Sequence, residues 1–244
     1  MSAEPTETTD EKPPYRPHLG DTRPYWRDII LGVNDGLVSM FLLVAGVVGG
    51  GLSVDQVLLT GVAGALAGAI SMATGEWLAT KSQEEVFDRE VALEAQHIRW
   101  YREQEVDQLR EMLGDLGLEG EVLEAAVSQV GASDEALMES MKRLEFGVVE
   151  DGRRSPWKAA IYSGLLFIAG AAPSVVPFVF VGTTVAGLWW AAAFAGAGLF
   201  AVGVAKTVAT GTNPIRAGLE NLSVSLLGGV LSFGVGSLFD ANVG

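Results

Sequence analysis

The residue with the most chemistry to explain is Asp35. It lies in an apolar run over residues 26–52, WRDIILGVNDGLVSMFLLVAGVVGGGL, that is long enough to cross a bilayer. A carboxylate inside a membrane helix is costly unless it faces a partner, water or an ion, so Asp35 is a candidate carrier of a cation or a proton. The plainer alternative is a helix cap, or a pair with a basic residue near the helix start such as Arg27. Gly32 and Gly36 flank it at a spacing that lets another helix backbone come close. A second apolar run, 57–79, carries Met72 and, one turn on, Glu76. Helical rise counted from Asp28 and from Lys81 puts Asp35 and Met72 at similar depths, roughly 10 to 14 Å from the same edge of the bilayer. Asp35, Met72 and Glu76 thus make a candidate ladder, with Asn34 adding a neutral oxygen beside Asp35. A carboxylate with a thioether suits a divalent transition metal better than magnesium or calcium, which take oxygen ligands. Methionine is also a common core filler, so Met72 as packing stays open. Glu220 reads as a helix-end charge near Arg216.

A second constellation lies between the second and third apolar runs. Glu90, Glu94, His97, Tyr101, Glu105 and Gln108 recur at three or four residues and form one polar stripe on a helix expected over 82–113. Glu94-x-x-His97 has the spacing by which helical bundles present metal ligands from one face. On a later helix, expected over 133–149, Met138, Met141 and Glu145 share a face. Bringing the two faces together would give a metal site of carboxylate, imidazole and thioether ligands. The alternative is a solvated charged face, which is what most glutamate-rich helices are.

These residues need elements to hold them. Hydrophobic content of 49% and mean hydropathy of +0.31 are high for a soluble domain, while the acids are segregated. Of 30 acidic residues, 19 fall in 81–152 and six precede Ile29. The expected fold is all-α: a polytopic membrane protein with five transmembrane helices and a cytoplasmic three-helix insert between the second and third. Residues 1–25 form a disordered tail, 26–80 the first two spans, 81–154 the insert, 155–239 the last three spans and 240–244 a tail outside. The spans are expected over 29–52, 57–79, 156–181, 184–208 and 214–238, the third kinked or re-entrant at Pro173 and Pro177. A further insert helix is expected over 119–130 after the Gly117 break.

Arg23, Arg27, Lys81, Arg89, Arg153, Arg154, Lys158, Lys206 and Arg216 all fall on one side of this arrangement, and the opposite connections carry no Lys or Arg. The positive-inside rule then places the N-terminus and the insert in the cytoplasm and the C-terminus outside. Five lysines against eleven arginines on an acidic chain point to a prokaryotic plasma membrane. A net charge of -14 argues against nucleic acid and permits cation binding. With no cysteine there are no disulfides, thiolate zinc sites or iron–sulfur clusters. No organic cofactor is expected.

The string Arg27-Asp-Ile-Ile-Leu-Gly32-Val-Asn-Asp35-Gly36-Leu-Val resembles the vacuolar iron transporter family. So do Gly68-Ala-Ile-Ser-Met72-Ala-Thr-Gly75-Glu76-Trp-Leu, the Glu-rich insert, Pro156-x-Lys158-Ala159-Ala160 and Pro214-Ile-Arg216-x-Gly218. The resemblance implies a homodimer in a lipid bilayer and proton-coupled export of ferrous iron from the cytosol along a path between subunits. Ferrous iron is then the substrate, with manganese, cobalt or zinc as alternatives. It further implies that Asp35 and Met72 line the intramembrane path, that Glu76 belongs to a Gly-Glu pair, and that Glu94, Glu105, Met141 and Glu145 match metal ligands of the insert. His97, Gln108 and Lys142 stand where that pattern has glutamates. A lysine repels a cation, whereas His97 as a substitute ligand shifts preference toward later transition metals. Two rivals remain. A membrane-tethered di-iron oxidase would need a second Glu-x-x-His, and His18 in the tail does not supply it. A metal-responsive receptor without transport leaves Asp35 and Met72 unexplained.

Overall fold

The computed structural model describes residues 23–146 and 154–243. Those residues are helical with no strand: α1 (Arg23–Gly49), α2 (Val54–Trp100), α3 (Arg102–Asp115), α4 (Gly120–Gly131), α5 (Asp134–Leu144), α6 (Pro156–Val175), α7 (Pro177–Phe180), α8 (Thr184–Thr210) and α9 (Pro214–Val243). Five stretches are long and apolar enough to cross a membrane, in Ile29–Gly49, Val54–Trp100, Pro156–Phe180, Thr184–Thr207 and Pro214–Ala241. The chain is an integral membrane protein, and the five expected spans are present.

Glycine sets how the spans meet. A Cβ on Gly36 would stand 2.2 Å from the carbonyl oxygen of Phe167, and one on Gly170 would stand 2.3 Å from that of Val33. α1 and α6 therefore touch backbone to backbone beside Asp35, as the small residues around it allow. Half of the apolar stretch of α6 is buried, against 11% for α9, so α6 is the central post. Met40, Val44, Val57, Ala69, Phe167, Ala171 and Phe178 fill the space among α1, α2, α6 and α7. Leu37 and Phe41 pack on Ala195 and Leu199 of α8.

The helix ends are written locally. Ser53 caps α2 through a reciprocal capping box with Gln56. Ser133 accepts from the Ala136 amide at the start of α5, and Gly211 closes α8 in the left-handed region at φ 67°.

Several expectations change. α2 does not end near Ala79 but runs unbroken for 47 residues, from the capping box at Ser53 through the second span and into the insert. The helix expected over 82–113 instead breaks at Tyr101, whose φ of -130° and ψ of 33° are not helical. The insert is thus the distal half of α2 with α3, α4 and α5, rather than three helices. Arg102 ties the break to α4 and α5 through Asp134 and the Gly131 carbonyl, and Arg110 reaches Glu124 at 3.0 Å. α5 ends at Leu144, and the expected end near Val149 lies outside the described residues. Pro173 is accommodated inside α6, and the backbone at Val176 stays near helical, so the third span continues to Phe180 instead of re-entering. α9 extends through Val243, where a tail was expected from residue 240. Of the N-terminal tail, residues 1–22 lie outside the described residues.

Candidate metal site and intramembrane acids

The break at Tyr101 builds the insert's site. On a continuous helix Glu94 and Glu105 would be separated by about 16 Å of rise. With the chain turned at Tyr101, Glu94, His97 and Glu105 each offer a ligand atom within 4.8 Å of the others. His97 Nδ1 lies 3.3 Å from Glu105 Oε1 and 3.9 Å from Glu94 Oε2. The Tyr101 ring stands edge-on to the imidazole at 6.2 Å, and its amide donates to the His97 carbonyl at 2.7 Å.

Both carboxylates are buried, with relative exposures of 4% for Glu94 and 5% for Glu105. Among the described residues, Glu94 Oε1 and Glu105 Oε2 have no hydrogen-bond partner. Leaving two acceptors buried in that state is costly, and a cation between them would remove the cost. Burial, then the charges of Glu105 and Glu145, push the Glu94 carboxyl up to about 7. Beneath them Ile98, Leu109, Leu137 and Met141 form the insert's core, with Met138 packed against it.

Met141 is fully buried within that apolar core. Glu145 is exposed at the end of α5, near enough to act on Glu94. Glu90 is half-buried a turn before Glu94 and lines a hollow with Val86, Phe87 and Phe146. Gln108 and Lys142 are half-buried on α3 and α5. Among the described residues, the three-ligand cluster is Glu94, His97 and Glu105.

The membrane residues are less gathered. Asp35 is exposed on α1, on the outer wall of the single chain. Met72 is half-buried and packs on the core shared by α1, α2 and α6. Asn34 does not serve Asp35: its Oδ1 accepts from Asn221 Nδ2 at 2.8 Å, and that amide also donates to the Leu199 carbonyl. Neighbouring helix positions point about 100° apart, so Asn34 turns into the bundle while Asp35 turns out. Glu76 is paired with Arg154 at 3.6 Å, a contact that the sequence reading missed because Arg154 stands 78 positions on. Glu220 is the helix-end charge expected, paired with Arg216 at 3.1 Å.

Comparison with known proteins covers nearly the same residues. A vacuolar iron transporter 1 of Arabidopsis thaliana is 30% identical over 207 residues, 85% of this chain and 83% of that protein. One of Tulipa gesneriana is 30% identical over 206 residues, 84% and 82% of the two chains. A vacuolar iron transporter of Toxoplasma gondii is 26% identical over 236 residues, covering 93% of this chain and 78% of its own. A model of the VIT family matches residues 26–237, from the first turn of α1 into the fifth span, and the chain belongs to that family.

Proposed function

We propose that this chain is a homodimeric antiporter that moves a divalent transition metal, ferrous iron foremost, out of the cytosol in exchange for protons. The observation that carries the reading is the unbroken α2, which bears Met72 and Glu76 on its membrane half and Glu94 and His97 beyond it. Glu76 and Glu94 are eighteen positions apart, about five whole turns, and so lie on one face. The relatives' name, vacuolar iron transporter, supports iron as the cargo.

In this reading residues 81–154 are a cytoplasmic metal-binding domain, oriented by the basic residues on its side of the membrane. Glu94, His97 and Glu105 collect the ion, with Met141 and Glu145 beside them. It passes Glu76 and Met72 to Asp35, between two subunits. A carboxylate oxygen does not hold a proton and a metal ion together, so protonation of Asp35 from the far side releases the metal outward. Exposure of Asp35 on the single chain supports a second copy, because a carboxylate facing lipid is costly.

The test is ferrous-ion flux into proteoliposomes under an imposed pH gradient. Gradient-dependent uptake by the intact protein, lost in Asp35→Ala and Asp35→Asn, is expected. Proton-coupled flux retained by either variant would remove Asp35 from the path. Manganese, cobalt and zinc added as competitors rank the cargo.

A further inference from the structure

We propose that Arg154 is a tethered counter-cation that occupies Glu76 until an entering divalent ion displaces it. The proposal rests on the transport reading and deepens it, assigning the entrance of the path a gate selective for charge. Glu76 is 15% exposed on the membrane half of α2, below the insert, and Arg154 Nη1 lies 3.6 Å from its Oε1. That separation is beyond ordinary hydrogen-bonding range, so the attraction between these two atoms is one of charge. Arg154 is itself only 22% exposed.

The seam between α2 and α6 keeps the guanidinium in reach. Ser155 and Pro156 begin α6 directly after Arg154. Trp157 packs on Trp77 at 5.8 Å, the residue after Glu76, and Lys81 lies 4.9 Å over the Trp77 ring. A guanidinium does not lose its charge by titration in a protein, so it leaves Glu76 only by moving or being replaced. A monovalent ion has no charge advantage over it at that carboxylate, whereas a divalent ion has twice its charge. Arg154 thus sets the concentration at which a divalent ion enters and excludes singly charged ones.

Two experiments on the full chain test this. In proteoliposomes at a fixed pH gradient, Arg154→Gln should lower the KM for ferrous ion by roughly two- to fivefold, the scale of a partly exposed ion pair. Arg154→Lys should keep the wild-type KM. The same Arg154→Gln change made on Glu76→Gln should not lower KM further. An unchanged KM in Arg154→Gln, or an equal fall without Glu76, overturns the gate; so does a lower maximal rate at constant KM in both Arg154 variants, which marks a structural role.

The second experiment needs no variant. Phenylglyoxal labelling of Arg154 in the wild-type protein, read by peptide mass spectrometry, should rise when cobalt(II) is added and stay flat with sodium at equal ionic strength. Labelling that cobalt leaves unchanged or lowers also overturns the gate. Absence of flux in the wild type would remove the transport reading, while the labelling result decides the displacement of Arg154 by itself.

Discussion

Glu94 combines a buried position with two carboxylate neighbours, and its proton is therefore tied to its metal. Its carboxyl is held up to about 7, first by burial and then by Glu105 and Glu145. A ligand must be ionised, so below that value binding expels a proton. Cobalt(II) affinity of the insert should rise with pH from about 5 to 7, by up to about tenfold per unit for one proton, then level off. Calorimetry in buffers of different ionisation enthalpy reads the proton directly, and Glu94→Gln should flatten the slope. A slope unchanged in Glu94→Gln would take Glu94 out of the ligand set. Stability carries the opposite sign. A carboxyl whose folded pKa is raised stabilises the fold at low pH and loses that contribution as pH climbs through about 7. Metal-free protein should therefore melt lower at pH 8 than at pH 6 as far as Glu94 is concerned, and cobalt should narrow the difference.

At the scale of the helices, the α1–α6 crossing places a strict requirement on the sequence. Any Cβ on Gly36 meets the Phe167 carbonyl at 2.2 Å, and backbone atoms cannot rotate away as a side chain does. Gly36→Val should separate the helices and cost about 1 to 3 kcal/mol or more, seen as a lower melting temperature in detergent. Gly114→Ala is the control. Nothing lies within 4 Å of a Cβ there, so the change should gain up to about 1 kcal/mol of helix propensity. Equal melting of Gly36→Val and the wild type would show that α1 and α6 do not pack in this way. The same crossing fixes the rotation of α1: with Gly36 and Leu37 buried and Asn34 bonded to Asn221, Asp35 turns outward.

Among the described residues of the single chain, nothing buries that outward face. Leu59, Val62, Leu66 and Ile70 of α2 are exposed, and so is Asp35 on α1. A detergent-solubilised sample should give a polypeptide mass twice the chain's 25.7 kDa by light scattering. A monomeric mass at concentrations that support flux would remove the path between two subunits.

Much of this was legible in one dimension because bilayer physics is one-dimensional. Apolar runs of span length, an acid held inside one of them and acids crowded outside are properties of composition along the chain, and they yield five spans and an extramembrane insert. Asp35, Glu76, Glu94, His97 and Glu105 stood out for the same reason, as polar types at helical spacing. Their neighbours did not. No glycine or proline marks Tyr101, so nothing local distinguishes a straight helix over 82–113 from one that folds Glu105 back onto Glu94; Arg102 reaching Asp134 and Gly131 helps to settle it from 29 or more positions away. Likewise the change in composition after residue 79 reads as a boundary between span and insert, but no breaker stands between residues 79 and 82 and the structure has one continuous helix there. Arg154 opposite Glu76 and Asn221 opposite Asn34 are pairs between distant helices, and only tertiary structure chooses such partners, because helical periodicity assigns a residue to a face but not that face to a neighbour.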